Sequence, residues 1–203
     1  MTDSLPAVAN RASHAKGVAL RGLLTWYESV YGRERLVAAA RRLPEDHRRF
    51  LDEHREMLGV LPSSWYPMPF VHALLDEMLG DFGPTERGGM AAAAARYVMS
   101  TTLNGIHRRL FEMFATPQIY ARFAQKLWHA YYDTGIFQVR CLDEHSAESV
   151  LTAWGGHTPF TCDLNTHAAA LIYETMGLEG VAARRTACVD HGAAGCRVVI
   201  TWS

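Results

Sequence analysis

Apolar positions follow helical spacing through roughly the first two thirds of this chain and then turn to strand alternation. Residues 1 to about 15 show no periodicity and are expected to be disordered. Val18, Leu20, Leu23, Leu24, Tyr27 and Val30 lie at helical spacing and predict a helix closing at Gly32. A second helix spans Glu34 to Arg42, and a third runs from Pro44 to about Gly59, with Glu45 and Asp46 suiting its positive end. Leu61 to Pro69 holds three prolines and reads as a rigid, aromatic-bearing connector. Phe70, Leu74, Leu75, Met78 and Leu79 predict a further helix, broken by Gly80, Gly83 and Pro84. Glu86 to Phe114 reads as a long helix divided near Asn104-Gly105, and its alanines 91–95 allow close helix approach. Thr116-Pro117 caps and opens another, with Tyr120, Phe123, Leu127, Trp128 and Tyr131, which Asp133-Thr134-Gly135 ends.

From Ile136 the period is two. Phe137 to Leu142 and Ser149 to Trp154 alternate around a turn at Asp143-Glu144-His145 and predict a hairpin. A helix from about Phe160 to Met176 leads to a second hairpin, Val181–Cys188 with Cys196–Trp202. Hairpin, helix, hairpin makes an α+β fold: an amino-terminal helical region packed on a four-stranded antiparallel sheet at the carboxy terminus. One domain over 16–203 is expected, since 203 residues, half of them apolar, suffice for one sizeable core.

Charge removes one class of function. The formal net charge is −1, and the arginine-rich stretch from Arg33 to Arg55 is interleaved with carboxylates, as on the solvated face of a helix. No basic field is present to hold nucleic acid. The start Met1-Thr-Asp-Ser-Leu-Pro has no leader pattern and no segment has the apolar length of a membrane span, so a cytoplasmic protein with its four cysteines reduced is expected. His-Glu-x-x-His, a phosphate-binding glycine loop and a nucleophile elbow are all missing, and the pairs Gly88-Gly89 and Gly155-Gly156 read as turns.

Cysteine spacing is the most specific signal. Cys188 and Cys196 frame a turn containing Gly192, and the ending Arg197-Val-Val-Ile-Thr-Trp202 follows as a strand. This Cys-x-x-x-Gly-x-x-x-Cys ending resembles that of vinyl-reductase domains, a superfamily shared with the haem nitric-oxide-binding domain and the TRAPP tethering subunits. In phenol-sensing members the resemblance implies a zinc site built from this cysteine pair, an upstream cysteine matched by Cys162, and a glutamate three residues before the first cysteine. That position holds Arg185, which cannot ligate. The fourth ligand must then come from elsewhere: His191 is taken with Cys162, Cys188 and Cys196 as the metal set, with Asp190, His157 and His167 also near in sequence. The alternative is three reduced cysteines at a hairpin base with His191 exposed in the turn. Over nearly the whole chain, Lys16-Gly17-Val18, Leu23-Leu24-Thr25-Trp26, Leu61 to Pro67, Leu127-Trp128 and Tyr131 to Gly135 are similar to an uncharacterised paralogous family known from myxobacteria, which carries no activity to transfer.

Trp65, Tyr66, Phe70, Phe111, Phe114, Tyr120, Phe123, Trp128 and Tyr131 are candidates to line a pocket between helices and sheet, with core packing as the alternative for each. His107, Tyr97 and Trp128 are the candidate polar anchors. His107 and His129 are also the residues that would ligate a haem iron, but the Tyr-x-Ser-x-Arg haem-propionate motif of the nitric-oxide-binding relatives is missing and haem is set aside. The expected function is a non-catalytic sensor that buries a hydrophobic or aromatic small molecule in an apolar cavity, beside a structural zinc, and signals to a partner protein. Its rivals are a homodimeric interaction module in the manner of TRAPP subunits and a thiol-dependent enzyme.

Overall fold

The computed structural model describes residues 12–102 and 116–203. The expected α+β architecture is present. Its first element straddles the end of the stretch expected to be disordered: β1 (His14–Lys16) pairs antiparallel with β2 (Trp65–Pro67), His14 facing Pro67 and Lys16 facing Trp65. The proline connector therefore supplies a short strand, and it also caps the helix that follows β1. The first amides of α1 (Gly17–Tyr31), on Gly17 and Val18, donate to the carbonyls of Ser64 (2.8 Å) and Pro62 (2.9 Å). Those donors have no partner within the helix, so main-chain acceptors do the work of a side-chain cap. A β-carbon at Gly17 would overlap the Leu61 carbonyl, so only glycine permits this approach.

In α1, Leu20, Leu23, Leu24, Trp26 and Tyr27 are buried, whereas Val18 and Val30 are exposed, so the buried stripe is narrower than the apolar pattern. α2 (Arg33–Arg42) buries Leu36, Ala39 and Ala40. The helix expected from Pro44 to Gly59 is cut to α3 (Glu45–Arg48), because the following backbone is held by a tertiary partner instead of by itself. Arg33 Nη2 donates to the carbonyls of Glu53 (2.9 Å) and Arg55 (2.5 Å), and Asp52 N donates to Leu58 O (2.8 Å). A 3-10 turn at Glu56–Gly59 then puts Met57 and Leu58 at positive φ and buries Leu58 completely. α4 (Met68–Leu79) is expected from its spacing and buries Phe70, Leu74, Leu75 and Met78. α5 (Pro84–Thr102) buries Ala91, Ala94 and Ala95, the face on which a second helix comes close. The division expected near Asn104-Gly105 lies outside the described residues.

α6 (Pro117–His129) starts as its sequence indicates, Thr116 Oγ1 accepting from Ile119 N at 3.2 Å with Pro117 in the first turn. The sheet has the order β3 (Ile136–Cys141), β4 (Ser146–Thr152), β6 (Gly195–Thr201), β5 (Ala182–Ala187), antiparallel throughout. β4 and β6 pair in the middle and join the two hairpins, placing Leu151 opposite Cys196. Between them in sequence, α7 (Pro159–Thr175) lies across the inner face of the sheet and against α5. Tyr120, Ala147, Tyr173, Val198, Ile200 and Trp202 form the core beneath it, while α1, α2, α4 and α5 enclose a larger core that reaches Trp128, Leu151 and Trp154. No described helix is long and apolar enough to cross a membrane.

Gly17→Ala is expected to lower stability by about 1–3 kcal/mol, the range for forcing atoms into a filled space. A urea midpoint that falls at unchanged slope would show it.

Candidate functional site

Three elements carry three thiols to one point. Cys162 stands in the first turn of α7, whose start is fixed by a reciprocal cap: Thr158 Oγ1 accepts from Thr161 N (3.2 Å) and Thr158 N donates to Thr161 Oγ1 (2.9 Å). Cys188 follows β5, where its carbonyl accepts from His191 N (3.0 Å) and Ala193 N (3.1 Å) and shapes the turn completed by Gly192 at φ 82°. Cys196 is the second residue of β6. Its Sγ lies 3.3 Å from both Cys188 Sγ and Cys162 Sγ, and all three thiols are free and buried.

His157 stands beside two of the thiols and forms with Cys162 and Cys196 one close group of donor atoms, to which Cys188 does not belong. His157 Nδ1 is 3.3 Å from Cys196 Sγ and 3.6 Å from Cys162 Sγ. Ala153 at φ 52° ends β4, and Gly156 lies so close beneath the Trp154 ring that any β-carbon would overlap it, so the glycine turn aims the imidazole at the thiols. His191, expected from sequence as the fourth member of the set, is exposed in its turn, and the donors grouped together among the described residues are His157, Cys162 and Cys196. Arg185 does not ligate: it reaches Asp163 Oδ1 at 2.9 Å, next to Cys162, and its Nη1 is buried without a partner among the described residues.

Burial pushes the Cys162 thiol far up, reinforced by Cys196 and Cys188, and also raises Cys196, while it lowers His157. Cys162 and Cys196 are thus held toward the protonated thiol and His157 toward the neutral imidazole. Soft sulfur and nitrogen donors of this kind suit a thiophilic ion, which would displace the thiol protons. Metal–sulfur bonds of about 2.3 Å set tetrahedral sulfurs about 3.8 Å apart, so the thiols would have to spread by about half an ångström.

An apolar cleft of about 280 Å³ lies where α1, α5, α6 and α7 meet β3, with Leu23, Val98, Trp128, Phe137 and Ile172 among its walls. A smaller void of about 120 Å³ shares Tyr120, Trp128, Phe137, Asn165 and Ile172 with it and ends at His157, Cys162 and Cys196. The thiol cluster and the cleft are therefore separated by one small chamber. Burial raises the Tyr120 phenol and pushes that of Tyr132 up to about 12, so both stay neutral. A larger open groove of about 1280 Å³ crosses the outer sheet face, where Glu148 is clamped between Arg140 (2.8 Å) and Arg197 (2.9 Å) and its charge is spent.

Of the pocket residues expected from sequence, Tyr120 and Trp128 border both the cleft and the chamber, and Tyr131 borders the cleft. Trp128 is not a free anchor, because its Nε1 donates to Thr134 O at 2.8 Å. Trp65 is 43% exposed with Lys16 Nζ over its ring, and Phe123 is 51% exposed, so neither lines the cleft. Tyr97 packs against the helical core. His129 is exposed, its Nε2 2.6 Å from Gln125 Nε2 and its Nδ1 3.1 Å from Tyr132 O. His107 and Phe111 lie outside the described residues. Sequence reasoning missed Asn165, Ala168 and Ile172, which follow Cys162 on α7; their spacing from that cysteine was the available signal.

No family model and no curated protein matches this chain. Solved structures do. An H-NOX protein from K. algicida, Fe(II) and unliganded, superposes with a TM-score of 0.64 at 10% identity, covering 93% of this chain and 96% of its own. An H-NOX protein from S. oneidensis in the Fe(II)NO state gives 0.64 at 11% identity, covering 93% and 99%. An oxygen-binding H-NOX domain related to soluble guanylate cyclases gives 0.61 at 8%, covering 93% and 95%. The chain has the H-NOX fold, in accord with its resemblance to the haem nitric-oxide-binding branch. Setting haem aside is corrected by this result: the proteins that share the fold include H-NOX domains studied for haem distortion.

With an alkylating probe at pH 7.5, Cys162 and Cys196 are expected to react far more slowly than an unstructured thiol and to speed up about tenfold per pH unit below their raised pKa values. One cluster cysteine reacting fast at neutral pH would support the thiol-enzyme alternative instead.

Proposed function

We propose that the chain is a sensory domain that binds an uncharged, largely apolar small molecule in the cleft between its helices and sheet. The Cys162, Cys196 and His157 group, with Cys188 next to Cys196, holds a thiophilic divalent ion beside it. The observation that carries this reading is the continuity of the two: cleft and chamber share five residues, and the chamber ends on the thiols and the imidazole. α7 links them mechanically. Its first turn bears Cys162, and its next turns bear Asn165, Ala168 and Ile172 on the cleft. Ligand burial would shift the packing of α7 on α5 and on the sheet, and a partner protein would read the displaced surface.

A second reading is favoured by the fold itself: a haem in the same cleft. The described walls offer Met99 as an iron ligand type but neither an imidazole nor an arginine or lysine, so the described residues do not by themselves complete a haem site. His107 lies outside them. Haem, when bound, would supply the iron that takes a gaseous ligand.

Native mass spectrometry and an absorption spectrum of protein purified without chelator separate these readings. A retained neutral organic molecule supports the first, a Soret band the second, and a bare chain in a constant dimer supports the interaction module. Ala168→Leu, which fills the cleft from α7, is expected to weaken small-molecule binding by tenfold or more while leaving the thermal midpoint equal or higher.

Cobalt(II) should bind with thiolate charge-transfer absorption, and His157→Ala should weaken it. Because Cys162 and Cys196 enter the site protonated, apparent metal affinity is expected to rise with pH, by about a hundredfold per unit from these two thiols together. An affinity independent of pH between 6 and 8 would place the ion elsewhere.

A further inference from the structure

A band of exposed apolar side chains runs along the rim of the cleft. On the outer face of α6, Ile119, Phe123 and Leu127 follow one another at four-residue spacing and are 42%, 51% and 44% exposed. Leu127 also borders the cleft, and so does Val18 at the start of α1, itself exposed. Tyr131 carries the band from α6 to the β1–β2 ribbon. Its carbonyl accepts from Lys16 N at 2.7 Å, and Lys16 faces Trp65, another exposed ring. The charge along this rim has one sign. α6 holds Arg122, Lys126 and His129 and no carboxylate, with all three exposed, and Lys16 Nζ stands 5.7 Å from the centre of the Trp65 ring. The next carboxylate after α6, Asp133, is taken up by His14, accepting from its backbone N at 2.6 Å and pairing with its Nδ1 at 2.7 Å.

We propose that this rim docks on the surface of an anionic lipid bilayer. A surface helix with aromatic and aliphatic tips beside lysine and arginine suits that interface, because the tips bury at the headgroup boundary while the cations stay among the lipid phosphates. Arg122 and Lys126 each precede an apolar member of the stripe by one residue, so they lie along one flank of it. The other flank turns inward to the cleft through Tyr120 and Ala124. Trp65 adds an indole, whose apolar body and single N–H favour the same depth. Charge decides against a second copy of the chain as the occupant: a two-fold pairing of antiparallel α6 helices would set Arg122 and Lys126 against their own copies. Val18 and Leu127 belong both to the rim and to the cleft wall, so the apolar lining of the cleft reaches the face that meets the lipid. The inference goes beyond the ligand reading of the cleft and does not depend on it.

The test is sedimentation of the full chain with vesicles, no small molecule being added. Vesicles of phosphatidylglycerol and phosphatidylcholine in equal parts are expected to bind it about tenfold or more tightly than phosphatidylcholine alone, and molar salt should remove the difference. Arg122→Glu and Lys126→Glu should each weaken binding by about fivefold or more, and Phe123→Ser by about tenfold. All three side chains are exposed, so an unchanged thermal midpoint shows that each variant is folded. Val30→Ser removes an equally exposed apolar side chain at the far end of α1 from Val18 and should leave binding as it is. No sedimentation with either vesicle, equal binding to both, or binding that survives Phe123→Ser combined with Lys126→Glu overturns the inference. Capture by a synthetic helical peptide of leucine and glutamate, with no vesicle binding, also overturns it and assigns the rim to an acidic protein partner. None of these failures touches the cleft as a ligand site.

Discussion

Small residues where three helices converge decide the interior of this molecule. α5 presents Ala95, α6 Ala124 and α7 Ala168 to one region above the sheet, and α1 adds Ala19. Alanines let helices approach closely along their length but cannot fill the space where the axes diverge. The cleft is that remainder. Larger side chains at these positions would have closed it, as Leu74, Phe70 and Met78 fill the space on the other side of α1 and α4. α7 has to meet α5 on one side, the inner sheet face on another, and the thiols at its start. The cap formed by Thr158 and Thr161 fixes where that start falls and hence where Cys162, Asn165 and Ile172 lie. Cys162 and the cleft-wall residues Asn165, Ala168 and Ile172 thus lie on successive turns of one helix.

Local signals carried most of the fold. Alternation between Phe137 and Leu142, the turn at Asp143, and the glycine and proline punctuation were enough for the helices, the hairpins and their antiparallel sheet. What failed depended on distant partners. β1 and β2 are three residues each, too short to show a period, and exist because each completes the other. The segment after Arg48 has helical spacing but is claimed by Arg33, which lies on a different helix and takes the carbonyls that a continuing helix would use. Val18, Val30 and Phe123 fit the apolar pattern and are exposed, since periodicity gives the direction of a stripe and not its width.

The candidate site was legible in part for the same reason. Cys162, Cys188 and Cys196 could be grouped because the hairpin brings two of them together and the resemblance supplied the third. Closeness in sequence favoured His191, three residues after Cys188, as the imidazole. The sheet register favoured His157, which leaves the β4 end beside Cys196 through the Gly155-Gly156 turn. Arg185 stands where the resemblance implies a carboxylate, and it pairs with Asp163, the residue after Cys162 in sequence.

Hydrogen–deuterium exchange with and without 2-naphthol tests most directly the claim that α7 organises an internal ligand site. Added protection is expected in α7 from Leu164 to Ile172 and in α6 around Trp128, with the outer strand β5 unchanged. Protection confined to the outer sheet face, or none at saturating probe, would contradict it.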